Sequence, residues 1–218
     1  MSKETELPSS AAAAPQPFGR VRTVFLDRDG VLNEKMPEGK YVTRWEEFRL
    51  LPGVVEAIAR LNRAGLKVML VSNQRGVALG LYSTADVDRI HGGMLSVLES
   101  QGARLDGIFY CPHDKGQCDC RKPLPGLFEQ ALTSFPEVDA TTSVMIGDSL
   151  SDMEFGRRLG MMCIFIEGDP TRRKSGAEKA QRMAGFSCAS LPEAVDHLLD
   201  EDASGSGAAR GTAPGYPR

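Results

Sequence analysis

The chain has 218 residues, 41% of them hydrophobic, and a formal net charge of −3. That length allows one domain with a small insert and an ample core, and the charge gives no reason to expect nucleic acid or an anionic membrane as partner. No apolar run reaches spanning length, and the stretch through Ser9 to Pro15 lacks the apolar segment of a signal peptide, so a cytoplasmic monomer is expected. Residues 1–20, rich in Ala, Pro and Ser, and 201–218, rich in Gly, Ala and Ser, have disordered compositions, leaving 21–200 as the folded domain.

The first predicted strand, Val21 to Leu26, runs into Asp27-Arg28-Asp29-Gly30. Two carboxylates one residue apart share a face if the strand stays regular, and the glycine lets the chain turn just beyond them. Two desolvated like charges need a cation or a shared proton, and hard cations take oxygen ligands. Ordinary turn chemistry is one alternative. A calcium loop is another, but Val31 and Leu32 stand where such a loop takes Asp or Asn and then Gly.

Pro52-Gly53 opens a helix to about Arg63, with Val54, Val55, Ile58 and Leu61 near helical spacing, and Ala64-Gly65 stops it. Lys67 to Val71 reads as a strand covered on both faces, and Ser72-Asn73-Gln74 follows it. Ser83 or Thr84 caps a helix to about Ser100. Gly107 to Tyr110 is a third strand, leading to a Cys/His cluster and then Arg121-Lys122. Pro125 begins a helix ending near Ser134. Ser143 to Ile146 is a fourth strand, followed by Gly147-Asp148-Ser149 and a helix from about Leu150 to Leu159 that carries Asp152. Cys163 to Ile166 is a fifth strand, and Leu191 to Leu199 a last helix.

This alternation argues for an α/β domain, a parallel sheet with helices on both faces, in which ligands sit beyond the carboxyl ends of the strands. Each strand is followed by polar residues, so acids, a hydroxyl and two cations gather at one rim. That set suits magnesium-assisted phosphoryl transfer, which needs a cation holder, a nucleophile and donors for phosphoryl oxygens.

Asp-Arg-Asp-Gly at 27–30, Ser-Asn-Gln at 72–74, Arg-Lys-Pro at 121–123 and Gly-Asp-Ser-Leu-Ser-Asp at 147–152 resemble, in order, the four motifs of haloacid dehalogenase-type phosphatases, over a stretch from about Thr23 to Gly168. The Cys/His insert resembles that of the subgroup containing heptose bisphosphate and histidinol phosphate phosphatases. The resemblance implies a Rossmann-like haloacid dehalogenase fold. It implies that Asp27 attacks phosphorus to form an aspartyl-phosphate, that Asp29 protonates the leaving oxygen and later activates water, and that Ser72 and Lys122 bind phosphoryl oxygens. It further implies that Asp27, the backbone carbonyl of Asp29 and Asp148 hold Mg2+, with Asp152 orienting Lys122 or completing the outer metal shell. Taken singly, Ser72 reads as a loop residue and Asp148 and Asp152 as acids at a helix start.

Cys111-x-His113 and Cys118-x-Cys120 place four soft or borderline ligands within ten residues. Four protein ligands make a closed, structural zinc site; disulfides are the alternative, rare in a cytosolic protein. Zinc would fold the loop and set Arg121 and Lys122 at the rim. About forty residues separate the first two motifs, partly used by a helix, so no large cap fits. The site is therefore expected to be open and to accept a phosphorylated sugar or similar small polar metabolite; the resemblance implies a sugar bisphosphate, with Arg121 helping to recognise it, and Asn33, Tyr41, Asn73, Gln74 and Arg75 are expected near it. Heptose bisphosphate leads, histidinol phosphate is the alternative substrate, and a non-catalytic zinc-stabilised binding protein is the remote one. Plainer readings suit Trp45 and Phe48 (packing), His91 (packing or surface), His197 (a cation near a helix end), Cys163 (buried in a strand) and Arg172 to Lys174 (a solvated loop).

Overall fold

A computed structural model describes residues 21–173 and 175–205. The strands are β1 (Thr23–Leu26), β2 (Lys67–Asn73), β3 (Gly107–Cys111), β4 (Ser143–Gly147), β5 (Met162–Ile166) and β6 (Phe186–Cys188). The helices are α1 (Val54–Arg63), α2 (Thr84–Ser100), α3 (Gly126–Ser134), α4 (Leu150–Leu159), α5 (Ala177–Met183) and α6 (Leu191–Gly205). All six strands pair in parallel in the order β3-β2-β1-β4-β5-β6. The order reverses at β1, which puts a crevice at its carboxyl end.

Period-two alternation divides the core between two layers. Val24, Leu26, Val68, Leu70, Val144, Ile146, Ile164 and Ile166 face one layer, closed by α1, α2 and α6 through Ile58, Leu61, Met94, Val195 and Leu198. Phe25, Met69, Val71, Met145, Cys163 and Phe165 face the other, closed by α3, α4 and α5 through Leu127, Phe128, Phe155 and Ala180. Both faces are covered, which is why these strands read as continuous apolar runs.

Cap chemistry fixes the helices that border the site. Ser83 accepts from the Asp86 N–H at 3.2 Å while Asp86 accepts from the Ser83 N–H at 2.7 Å, starting α2 in a reciprocal capping box. At α4 the Asp152 carboxylate accepts from the Ser149 N–H at 3.0 Å.

The structure adds α5 and β6 to the elements expected. Each is short, and of α5 only Ala180 is buried, so neither leaves a periodic apolar signal. α6 runs to Gly205, into the stretch assigned to the disordered tail; residues 1–20 and 206–218 and Lys174 lie outside the described residues. His197 therefore sits within α6, its ring stacked on Phe186 at 3.7 Å, rather than near the helix end. Trp45 and Phe48 stack at 5.3 Å on the segment entering α1, and Cys163 is buried, both as expected. Among the described residues no helix is long and apolar enough to cross a membrane.

Candidate active site

In-register pairing brings the strand ends level. Leu26 lies opposite Leu70 on one side and Ile146 on the other, and the Asp27 N–H bonds the Ile146 carbonyl at 3.0 Å. The chain then breaks away at Gly30, whose φ of +95° is reserved in practice for glycine. A Cβ there would come within 2.1 Å of the Asp148 carboxylate, so this turn and the end of β4 can meet only without a side chain at position 30.

Carboxylate oxygens of Asp27, Asp148 and Asp152 lie within 4.8 Å of one another. Lys122 pairs with two of them, 2.9 Å from Asp27 and 2.6 Å from Asp152, and donates to the Val71 carbonyl at 2.7 Å. Its backbone is clamped by Asn73, whose side chain accepts from the Lys122 N–H and donates to the Lys122 carbonyl, both at 3.0 Å. Burial opposes the Lys122 charge, but the two aspartates outweigh it and hold its pKa above the ordinary lysine value. Burial pushes Asp27 up; Lys122 opposes that shift, while Asp152 and Asp29 add to it. Asp148 is pushed up to about 7 by burial, against the pull of Lys35, which pairs with its Oδ2.

Asp29 stands differently. Burial raises its pKa, yet the Arg28 charge and hydrogen bonds from Asn33, Arg28 and Gln74 outweigh that and hold it below the usual carboxylate range. Arg28 Nη2 reaches both of its oxygens, at 3.1 and 3.0 Å; Asn33 donates at 3.0 Å and Gln74 at 3.2 Å. A cleft of about 450 Å3 opens over this group, lined by Asp27, Asp29, Tyr41, Ser72, Arg75, Arg121 and Lys122 among others.

Beyond β3 the chain turns through the Cys/His loop. Cys111 and Cys118 sulfurs are 3.5 Å apart, Cys118 and Cys120 3.3 Å, and His113 Nδ1 lies 3.3 Å from Cys120. These separations are far beyond a disulfide bond; a tetrahedral ion with metal–sulfur bonds near 2.3 Å would set edges of roughly 3.8 Å. Arg75 ties the loop to the cleft through a 2.5 Å ion pair with Asp114.

The family model described as HAD-hyrolase-like matches residues 119–194. A D-glycero-alpha-D-manno-heptose-1,7-bisphosphate 7-phosphatase of Mycobacterium bovis is 36% identical over 189 residues, 86% of this chain and 93% of that protein. The corresponding beta-heptose enzyme of Rhodopseudomonas palustris is 40% identical over 166 residues, 72% of this chain and 88% of that protein. The crystal structure of D,D-heptose 1,7-bisphosphate phosphatase from B. bronchiseptica, complexed with magnesium and phosphate, superposes with a TM-score of 0.72 at 33% identity, over 83% of this chain and 99% of that one. The chain belongs to the haloacid dehalogenase-type phosphatase family.

For a member of this family the acidic cluster fits a divalent cation. Asp148 Oδ1 is buried with no hydrogen-bond partner, and among the described residues the three buried carboxylates pair with two ammonium groups, those of Lys35 and Lys122. The sequence-predicted residues divide into two groups. Asp27, Asp29, Ser72, Lys122, Asp148 and Asp152 converge, and Tyr41, Arg75 and Arg121 line the cleft or its wall. Asn33 and Gln74 were expected near substrate, but both are buried behind the cleft with their amides turned to Asp29. Asn73, likewise expected there, borders the cleft but spends its side chain on the Lys122 backbone.

Three residues had no role in the sequence reading. Arg28 is 1% exposed and grips Asp29; a cation between two acids was the available signal. Lys35 is buried against Asp148, and Arg172 donates to the Lys35 carbonyl at 2.5 Å, so the Arg172 stretch is less solvated than expected. Tyr82 reaches Gln74, and nothing in its sequence setting marks it.

Proposed function

We propose that the chain is a magnesium-dependent D-glycero-D-manno-heptose 1,7-bisphosphate 7-phosphatase working through an aspartyl-phosphate. One observation carries this reading: Asp27, Asp148 and Asp152 cluster together, Asp27 and Asp152 paired with Lys122, beside an open cleft with Asp29 and Ser72 at the same rim. Asp27 is the nucleophile, and its attack on phosphorus breaks the bond to the sugar oxygen. Lys122 and the Ser72 hydroxyl hold phosphoryl oxygens, supplying charge and a donor where negative charge develops. Lys122 stays protonated for this, because two carboxylates face it.

Asp29 gives a proton to the leaving oxygen and takes one from the water that later hydrolyses the aspartyl-phosphate. It rests as the carboxylate, held by Arg28. An arriving phosphate dianion raises a neighbouring acid and favours the protonated form the first step needs. Asp27, the Asp29 carbonyl and Asp148 would hold magnesium, which neutralises charge on the phosphoryl group when bound. Asp152 orients Lys122 at 2.6 Å. Tyr41, Arg75 and Arg121 are the groups offered to the sugar and its second phosphate. Cys111, His113, Cys118 and Cys120 would hold a structural zinc, and these unpaired thiols suit a reducing, cytoplasmic setting.

The substrate follows from the relatives at 36% and 40% identity, both heptose bisphosphate phosphatases. The deciding assay compares magnesium-dependent phosphate release from heptose 1,7-bisphosphate and from histidinol phosphate on one preparation. A kcat/KM ratio of about a hundred or more for the heptose ester is expected. A ratio near unity would overturn the substrate assignment, and full turnover by Asp27→Asn would overturn the mechanism.

A further inference from the structure

The amide of Gln74 links the acid and the hydroxyl of the site. Its Nε2 lies 2.8 Å from Ser72 Oγ and 3.2 Å from Asp29 Oδ2, and its Oε1 accepts from the Tyr82 hydroxyl at 2.8 Å. Gln74 is 1% exposed, so these contacts occupy an amide sealed from the cleft. Its orientation is determined twice over. An ionised carboxylate only accepts, so the amide nitrogen must face Asp29, and the Tyr82 O–H donates to the oxygen that remains. Burial pushes the Tyr82 hydroxyl up to about 12, which keeps it a donor.

Two consequences follow from this orientation. Ser72 Oγ receives a donor from behind, so its own single O–H is left to point into the cleft, where a phosphoryl oxygen would accept it. Asp29 is held from the β2 side as well as from its own loop. Arg28 and Asn33 belong to the loop that carries Asp29, whereas Gln74 follows β2 and fixes the acid relative to Ser72.

We infer that Gln74 is a positioning residue, oriented by Tyr82, that aims the Ser72 hydroxyl at the phosphoryl group and sets Asp29 to protonate the leaving oxygen. The inference rests on the phosphatase reading, deepens it, and assigns Gln74 a part separate from substrate contact. Because the residue acts through a proton donor, its loss should matter most when the leaving group needs a proton. A sugar alkoxide needs one; p-nitrophenolate departs without.

The test is kcat for heptose 1,7-bisphosphate and for p-nitrophenyl phosphate, with magnesium, in the wild type, Gln74→Leu and Tyr82→Phe. Gln74→Leu should lose about a hundredfold on the sugar ester and less than about tenfold on the aryl ester, the difference being the contribution of a placed proton donor. Tyr82→Phe removes one oxygen with the ring packing kept, and should show the same selectivity at about fivefold. Equal losses on both esters would overturn the placing of Asp29 by Gln74, and no loss in either variant would overturn the inference whole; both outcomes leave the phosphatase reading intact. Absence of phosphate release from both esters by the wild type would overturn that reading and this inference with it.

Discussion

The ammonium of Lys122 lies 2.6 Å from the carboxylate of Asp152, and both side chains are 1% exposed. The same ammonium reaches Asp27, while the other oxygen of Asp152 accepts from the Ser149 N–H at the start of α4. One buried cation thus ties the end of β1 to the first turn of α4. Three acids can approach so closely only because such positive charge is built in among them.

Replacing Lys122 with Met leaves Asp27 and Asp152 buried beside each other without that charge. Removing one member of a buried ion pair costs about 3–5 kcal/mol, and Lys122→Met should lose that much in urea unfolding without magnesium. Adding Asp152→Asn to Lys122→Met should restore part of the loss, because the second unpaired charge is gone. A double variant no more stable than the single one would contradict the pairing.

Removing the proposed zinc should loosen the loop from Cys111 to Cys120 and with it Arg75, which pairs with Asp114 of that loop. Purified protein should contain about one zinc per chain. Cys118→Ser should lower both the zinc content and the melting temperature, and should raise KM more than it lowers kcat. A zinc-free preparation with an unchanged melting temperature would count against a structural metal.

Much of this site could be read along the chain, because a parallel sheet turns sequence order into spatial order. Residues at or just past the carboxyl ends of β1, β2 and β4 must meet at one rim, so Asp27, Ser72 and Asp148 were findable from strand ends alone. Asn33 and Gln74 show the limit of that argument. Strand ends predict that a residue reaches the rim, but not whether its side chain faces ligand or turns back to hold another side chain. Lys35 was invisible for a related reason: its partner Asp148 lies more than a hundred residues away, and no periodicity or spacing links them. α5 and β6 escaped because short elements at the far edge carry too few buried positions to make a pattern.

Gly30 should resist substitution for two separable reasons. Its φ of +95° strains any L side chain, and a Cβ would meet Asp148 Oδ2 at 2.1 Å. Gly39 has a φ of +78° but open space around its Cβ position, so it reports the strain alone. Gly39→Ala should cost about 1 kcal/mol. Gly30→Ala should cost about 2 kcal/mol more through overpacking and should weaken magnesium binding at least about tenfold by calorimetry. Equal effects from the two substitutions would mean that Asp148 moves aside freely.

His91 should make the protein acid-sensitive. Burial and the neighbouring Arg28 push its pKa down to about 3, so the ring is neutral in the fold, 3.5 Å from the guanidinium and edge-on to Tyr110. In the unfolded chain it titrates near 6.5. Below that pH the unfolded state binds the extra proton, so the stability His91 permits is fully present above about 6.5 and falls away as pH drops toward 3. Between pH 7 and pH 5 this linkage amounts to about 2 kcal/mol. The buried acids Asp27 and Asp148, raised in the fold, act in the opposite sense between their unfolded and folded values, so the wild-type profile alone mixes the two effects. His91→Phe keeps a ring beside Tyr110 and removes the titration. The difference in urea stability between wild type and His91→Phe should therefore shift by about 2 kcal/mol in favour of the variant on going from pH 7 to pH 5; a difference that stays constant with pH would show that His91 titrates alike in the folded and unfolded chain.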